Sequence, residues 1–384
     1  MGPVPRPHGP ALQWKSLLQP DGTPIEYSWK WNTRDGEPDV RYDLEPIGPF
    51  AGTDLDPMNQ QAGREMLHRL AKSIPSVDLR WNHHFLSTLY DHDASKYADE
   101  VAAGITTPPT SSILIAAEFS RKGAPRFKTY FQPRKLGQKG FLPVPEFGTA
   151  IAQLTPDCAA RTTLLNFLTT HPEGKLLKPF SVSVDNVAPE KSRLKWYFNT
   201  PHTSFASVRE IMTLGGLVVT EHTAAQLADL HELIKGVLDL PAGFPEDAQV
   251  TDIKRPATAA AVNGNSTTAT NGKSSDENAE EPPPLMPGYA YYFDIAPGYA
   301  LPEIKLNIPL KFYGRDDLNL ARSTVDWMDA RGRGAYGATY LNMLNRLAED
   351  ALEETHGLQS FISCLFRRNG DLDITTYISA KATQ

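Results

Sequence analysis

The chain has 384 residues, 40% of them hydrophobic and 22% charged, with a formal net charge of −7. This composition supports a large buried core, and the acidic balance excludes a general nucleic-acid or anionic-membrane surface, since both need a basic excess. Two cysteines, Cys158 and Cys364, make neither a disulfide framework nor a zinc site.

Met1 to Gln13 is rich in proline and has no apolar stretch of signal-peptide length, so residues 1–13 read as a flexible N-terminus. No run anywhere approaches the ~18 apolar residues of a membrane span, and the expectation is a cytoplasmic protein. Pro24 to Trp31 and Val40 to Pro46 then read as two strands around the turn-forming Asn32-Thr-Arg-Asp35-Gly36. A helix is expected over Asn59 to Ser73, where Met66, Leu67 and Leu70 recur at helical spacing. A second hairpin follows, Ser112 to Phe119 and Arg126 to Phe131, joined through Arg121-Lys122-Gly123. Pro145 to Leu168 reads as one helix that begins on a proline.

The third hairpin is Phe180 to Asp185 with Arg193 to Phe198, and helices are expected over Ser204 to Thr213 and Thr223 to Leu240. From Thr251 to Pro287 the sequence turns to Ala, Thr, Asn, Ser, Gly, Glu and Pro with almost nothing to bury, which reads as a disordered loop. Tyr289 to Ile295 and Glu303 to Pro309 form the fourth hairpin signal across Pro297-Gly298. Helices over Asp316 to Ala330 and Tyr336 to Thr355 lead to the fifth, Gln359 to Phe366 with Asp371 to Ile378. Hairpins alternating with helix pairs make a quasi-repeat, ααββ. Ten antiparallel strands from such a repeat close into one α+β barrel with helices outside. On this reading residues 1–384 are a single domain, and 251–287 is an insertion within it.

Two strands carry the same pattern. Arg126-Phe-Lys128-Thr-Tyr130 and Arg193-Leu-Lys195-Trp-Tyr197 are both Arg-x-Lys-x-Tyr, and strand alternation puts Arg, Lys and Tyr on one face. A third run, Glu303-Ile-Lys305-Leu-Asn307, keeps the lysine and replaces the tyrosine with asparagine. The three lysines occupy the second strand of their hairpins, so in a closed barrel they converge on the lumen. Cations converging from separate strands point to an anion held by protein alone, with aromatic faces beside it.

At this point the chain resembles the fungal aromatic prenyltransferases of the dimethylallyltryptophan-synthase type. The resemblance rests on Gly22-Thr-Pro24-Ile-Glu26-Tyr-Ser28, Val40-Arg41-Tyr-Asp-Leu-Glu45-Pro46, Asp56-Pro57-Met-Asn59, Lys128-Thr-Tyr130-Phe-Gln-Pro133 and Ser192-Arg193-Leu-Lys195-Trp-Tyr197. Lys305, Tyr313-Gly-Arg-Asp316 and Gly357-Leu-Gln-Ser add to it toward the C-terminus. It implies the PT barrel, also called the ABBA fold, and transfer of an allylic prenyl group from its diphosphate to an aromatic acceptor without a metal. No Asp-Asp-x-x-Asp pattern is present, since Asp316-Asp317 is followed by Leu318-Asn319-Leu320.

The resemblance also implies roles. Arg41, Lys128, Arg193, Lys195 and Lys305 are the candidates for binding the diphosphate, where positive charge stabilises the leaving group. Tyr130, Tyr197 and, by weaker alignment, Tyr377 would shield the allylic cation with their π faces. Glu26 would hold the acceptor through a hydrogen bond, making it and Lys195 the catalytic pair, and Leu18 would lie near the acceptor ring. Glu45 is the competing carboxylate, a candidate partner for Arg41. Asn307 thins the aromatic shield, and Arg368 is a further candidate. Around Thr110-Ser111-Ser112 there is no lysine of the kind that C4-prenylating relatives carry as a base, so the deprotonating group is left open.

The implied partners are a small-molecule aromatic acceptor and an allylic prenyl diphosphate co-substrate, with no further cofactor, no nucleic acid and no membrane, in a monomer or homodimer. The acceptor is an indole or cyclic dipeptide, or a hydroxylated polyketide aromatic, and the donor dimethylallyl or geranyl diphosphate. A non-catalytic barrel that binds a phosphorylated or lipid-like ligand is the alternative, and it gives no reason for Glu26 beside the cations.

Overall fold

The computed structural model describes residues 14–19, 22–33, 36–104, 111–119, 125–138, 140–252, 288–313 and 315–379. The expected flexible N-terminus and residues 253–287 of the expected insertion lie outside them; Thr251 and Asp252 belong to a short turn, Val250–Asp252. Ten strands are formed: β1 Ile25–Lys30, β2 Asp39–Leu44, β3 Ile113–Glu118, β4 Arg126–Phe131, β5 Lys178–Asp185, β6 Leu194–Thr200, β7 Tyr289–Asp294, β8 Glu303–Pro309, β9 Gln359–Phe366 and β10 Leu372–Ser379. Each pairs antiparallel with its neighbours, and β1 closes on β10 to complete a barrel. No sheet edge remains among these strands.

Alternation along the strands divides the molecule into two chemistries. The outward residues, such as Val182 and Val184 of β5, Trp196 and Phe198 of β6, Tyr291 and Phe293 of β7 and Leu306 and Ile308 of β8, are buried against the helices. The hydrophobic core is therefore a ring between barrel and helices, with contacts such as Phe147 on Trp196 at 5.8 Å and Trp31 on Tyr340 at 4.7 Å between ring centroids. Most inward residues are polar, charged or phenolic, with apolar exceptions such as Leu114 and Ala116 of β3 and Ala290 of β7. A ten-stranded barrel is wider than one that side chains alone fill, which leaves a lumen for ligands.

Helix pairs precede each of the last four hairpins: Gln61–Ser73 with Arg80–Leu89, Val144–Leu154 with Ala159–Thr170, Phe205–Thr213 with Thr223–Leu238, and Asp317–Asp329 with Gly337–Leu347. The single helix expected over Pro145 to Leu168 is two. Pro156 disfavours helical backbone in the residue before it, and Thr155 takes φ −134°. The helix expected to run from Tyr336 to Thr355 stops at Leu347, because the chain beyond it is drawn back to the preceding helix. Leu352 O accepts from Leu318 N, and the carboxylate of Asp317 accepts from Leu358 N at 3.0 Å and Gln359 N at 2.8 Å. Asp316 caps that helix through Asn319 N at 2.9 Å, so both members of the Asp-Asp pair hold backbone in place. The two cysteines are buried free thiols, and no helix among the described residues is long and apolar enough to cross a membrane.

One buried ion pair ties the turn after β4 to the helix Tyr97–Ala102. Arg134 donates to Glu100, both side chains being almost fully buried, and the other Glu100 oxygen accepts from Gly137 N at 2.7 Å. Glu100→Ala takes the carboxylate partner away from a buried guanidinium and should lower unfolding stability by ~3–5 kcal/mol in a denaturant titration. A loss under ~1 kcal/mol, the worth of an exposed pair, would show that the pair is not acting as a buried one.

Candidate active site

The predicted cations meet on the lumen side of the barrel, and the strand register sets their partners. Arg41 of β2 stands opposite Glu118 of β3, which in turn stands opposite Arg126 of β4. Glu118 accepts from Arg41 Nη2 at 3.2 Å, from Arg126 Nη2 at 3.3 Å and from Lys128 Nζ at 3.3 Å. The empty space here is small, about 30 Å³, because one carboxylate draws three cations together. An entering anion competes with Glu118 for the same groups. Arg193 forks onto Asp185, Nε to Oδ2 at 2.7 Å and Nη2 to Oδ1 at 3.2 Å.

Lys195 and Lys305 differ from the rest. Lys195 has no hydrogen bond or carboxylate within 4 Å among the described residues; it stands opposite Ser183 and Asp294 in the register, with Nζ 4.9 Å from the Tyr292 ring. Among the described residues Lys305 Nζ donates to Thr375 Oγ1 alone, at 3.4 Å, and it lies 5.9 Å from the Tyr377 ring. Burial holds the Lys195 ammonium well below the ordinary lysine range, with repulsion from Lys128 and Arg193 adding to it. Burial likewise pushes Lys305 down to about 7, against the pull of Asp373. Lys128 is lowered by burial and then by Arg41 and Arg193. Lys195 and Lys305 are thus buried cations with no carboxylate in contact among the described residues.

Below them the tyrosines form a continuous wall. Tyr130 and Tyr197 lie 5.8 Å apart, and Tyr197 and Tyr292 5.3 Å apart, between ring centroids. Tyr377 faces the same lumen and packs edge-on against Phe361. Tyr292 is absent from the sequence-based set, although alternation along β7 puts it on the face of Asp294; an unremarkable Tyr-Tyr pair hides which ring turns inward. Asn307 stands opposite Ala290 and Ser363, so the wall has a gap of small residues at that point.

Glu26 is buried on β1, between Asp43 of β2 and Ser379 of β10. Its Oε1 accepts from Gln19 Nε2 at 2.5 Å and Ser360 Oγ at 2.7 Å, while Oε2 has no hydrogen bond to the described residues. Burial raises the carboxyl to about 8, and the neighbouring Asp43 charge contributes. Leu18 is half-buried next to Gln19. Ser360 was within the sequence's Gly357-Leu-Gln-Ser motif, but its partner becomes evident only when β9 and β1 are brought round the barrel.

Two expectations are corrected. Glu45 is not the partner of Arg41: it accepts from Trp14 Nε1 at 2.9 Å, Asn59 Nδ2 at 2.8 Å and Ser111 Oγ at 2.5 Å, and so anchors loops. The β2–β3 register gives Arg41 to Glu118 instead. Arg368 is exposed on the turn between β9 and β10 and is not brought among the lumen residues, because the strand ends at Phe366. A larger cavity, about 620 Å³, opens beside Asp229, Trp327 and the turn at Gly370. Its cations are already engaged, Arg331 with Asp229 at 2.6 Å and Arg333 with the carbonyls of Asn32 and Leu372. The predicted lysines and tyrosines line the lumen and not this cavity.

This arrangement can hold an anion at one level and a delocalised cation at the next, with a carboxyl group and small side chains around a third body. Comparison with known proteins shows the family. The sequence profile described as tryptophan dimethylallyltransferase matches residues 1–343. The chain is 50% identical to prenyltransferase anuH of Penicillium roqueforti, over all of this chain and 80% of that one. It is 45% identical to xanthone prenyltransferase B of Emericella nidulans, over all of this chain and 79% of that one. The crystal structure of AnaPT from Neosartorya fischeri superposes with a TM-score of 0.73 at 25% identity, covering 96% of this chain and 81% of that one. The chain belongs to the tryptophan dimethylallyltransferase family, as an aromatic prenyltransferase that takes its prenyl group from a diphosphate.

Proposed function

We propose that the protein transfers a dimethylallyl or geranyl group to a ring carbon of a hydroxylated aromatic acceptor, by electrophilic substitution that needs no metal. The observation that carries this is the pair of buried lysines, Lys195 and Lys305, with no carboxylate partner within 4 Å among the described residues. Such groups supply fixed positive charge where the departing diphosphate develops its own, and charge already in place costs no reorganisation during the reaction. The tyrosines beneath them face the allylic cation, each contact being worth ~0.5–2 kcal/mol. Together these residues bind and polarise the donor, exclude water and hold the acceptor ring against C1 of the prenyl group.

The hydroxylated acceptor is favoured by two features. Xanthone prenyltransferase B, 45% identical to this chain, is named for a xanthone, an aromatic without an indole N–H. The free Oε2 of Glu26 can accept from a phenolic O–H as well as from a ring N–H, and the lumen positions of β3, Leu114 and Ala116, carry no basic group.

Incubation with dimethylallyl diphosphate and a panel of hydroxylated aromatics, indoles and cyclic dipeptides, with excess EDTA, tests both parts. Prenylated hydroxyaromatics and equimolar diphosphate are expected, at the same rate with and without EDTA. Turnover that returns only on adding magnesium would overturn the metal-independent reading. Turnover confined to tryptophan or cyclic dipeptides would overturn the acceptor class.

A further inference from the structure

Asp43 of β2 points into the lumen from between Glu26 of β1 and Ala116 of β3, and it lines the central cavity with Arg41, Lys128, Tyr130 and Tyr377. Unlike its neighbours it is unpaired. Glu118 holds three cations, Asp185 holds Arg193 and Glu26 holds Gln19 and Ser360, whereas no hydrogen bond or ion pair reaches the Asp43 carboxylate among the described residues. Even half-buried, a carboxylate without partners is unfavourable, and the fold offsets this only from a distance, through the fields of Lys128, Arg41, Lys195 and Lys305. Its own charge is felt by Glu26 and by the rings of Tyr130, Tyr197 and Tyr377. Asp43 thus sits between Glu26 and the rings of Tyr130 and Tyr377.

We propose that Asp43 is the base that removes the proton from the acceptor carbon after the prenyl group has added to it. This rests on the reading that a ring carbon attacks. The C–O bond of the donor breaks with its electron pair leaving on diphosphate, and a π pair of the ring forms the new C–C bond to C1. The attacked carbon is then tetrahedral and still carries its hydrogen. Asp43 takes that proton, the C–H pair returns to the ring, and the neutral carboxyl passes the proton on as diphosphate and product leave.

Asp294, also raised to about 6 by burial, stands opposite Lys195 and Glu303 at the end of β7 and accepts from Ala296 N at 3.3 Å, away from Glu26; the remaining groups around the ring are poorly suited to this step. Lys128, Lys195, Lys305 and Arg41 are needed as cations. The tyrosine hydroxyls are weak bases whose ionisation burial opposes. Glu26 already accepts two hydrogen bonds and is raised to about 8. Burial raises Asp43 only to about 6, so it is ionised at neutral pH and close to the value at which a general base is effective.

The test compares wild type with Asp43→Asn, which keeps the shape and removes the basicity, using an acceptor deuterated at the attacked carbon. Product formation should fall by ~10²-fold or more, and a primary deuterium isotope effect that is small in wild type should become large, because proton loss becomes the slow step. Binding of a thiolodiphosphate donor analogue should not weaken, since the substitution removes a negative charge from the field of the four cations, and Asp43→Glu should recover part of the rate. Turnover near wild type in Asp43→Asn, or a loss with no isotope effect, overturns the assignment. If the variant does not fold, Asp43→Glu carries the test: a larger isotope effect than wild type supports the base, and an unchanged one overturns it. If the wild-type product is an ether, carbon attack is wrong, and the same variants are compared in D2O. A solvent isotope effect enlarged by the substitution then supports Asp43 as the base, and one that does not change overturns it.

Discussion

Lys195→Ala should abolish most prenyl transfer and leave the protein folded. Removing one preorganised charge from a developing anion costs ~10²–10³-fold in rate, and Lys195 is well placed to cost at least that much. It stands in the middle of the cationic face, its charge is not already spent on a carboxylate within 4 Å among the described residues, and Arg193 and Lys128 are close enough to repel it. In the empty protein that repulsion and the burial of an ammonium both oppose folding, so the variant should melt at the wild-type temperature or slightly above. Binding of a thiolodiphosphate analogue should weaken in parallel with turnover. Lys195→Ala with wild-type turnover and donor affinity would mean that the diphosphate lies elsewhere.

Glu26→Gln should reduce kcat/KM for the acceptor by ~10–100-fold, the worth of a hydrogen bond to a charged partner, with donor affinity nearly unchanged. The pH dependence is the sharper readout. Burial favours the neutral carboxyl and raises its ionisation to about 8, so the charged form that attracts the acceptor's O–H or N–H accumulates only as pH rises through that value. Wild-type kcat/KM for the acceptor, measured with donor saturating, should therefore climb toward pH 8 and level off above it. The glutamine variant should lose this limb. Donor affinity runs the other way, because Lys305, pushed down to about 7, is charged only below that value in the empty site; saturating donor holds it charged and keeps the two limbs apart. A limb that persists in Glu26→Gln, or an equal loss of donor affinity, would reassign Glu26.

The barrel was legible because its signals are local. Each hairpin is two alternating runs around a short turn, and the lysines announce themselves by recurring at one position of the pattern. Where a helix escaped notice the reason is equally local. Arg80–Leu89 is a short helix of ten residues whose buried face mixes Trp81, Phe85, Leu86 and Leu89 with Asn82, which donates to Thr129 Oγ1 at 2.7 Å and Asn186 Oδ1 at 3.1 Å, so its apolar stripe is brief and interrupted. Pairings between strands are different in kind. Whether Arg41 meets Glu45 or Glu118 depends on the β2–β3 register, and neither strand specifies that alone. Asp43 was hidden for the same reason. It reads as one more acid beside Arg41, and only the closed barrel shows that every cation near it is engaged by another group or held at a distance.

The ring of core between barrel and helices separates what can vary from what cannot. Outward side chains such as Trp196, Phe293 and Leu306 carry cohesion, while those on the lumen face, such as Asn307, Ala290 and Ser363, contribute little packing. Substitutions on the inner face can reshape the chamber while the scaffold stays sound. Lineages built on this frame can therefore explore new acceptors through single replacements that are nearly neutral for folding, and the small-residue gap around Asn307 is the natural place for such divergence to begin.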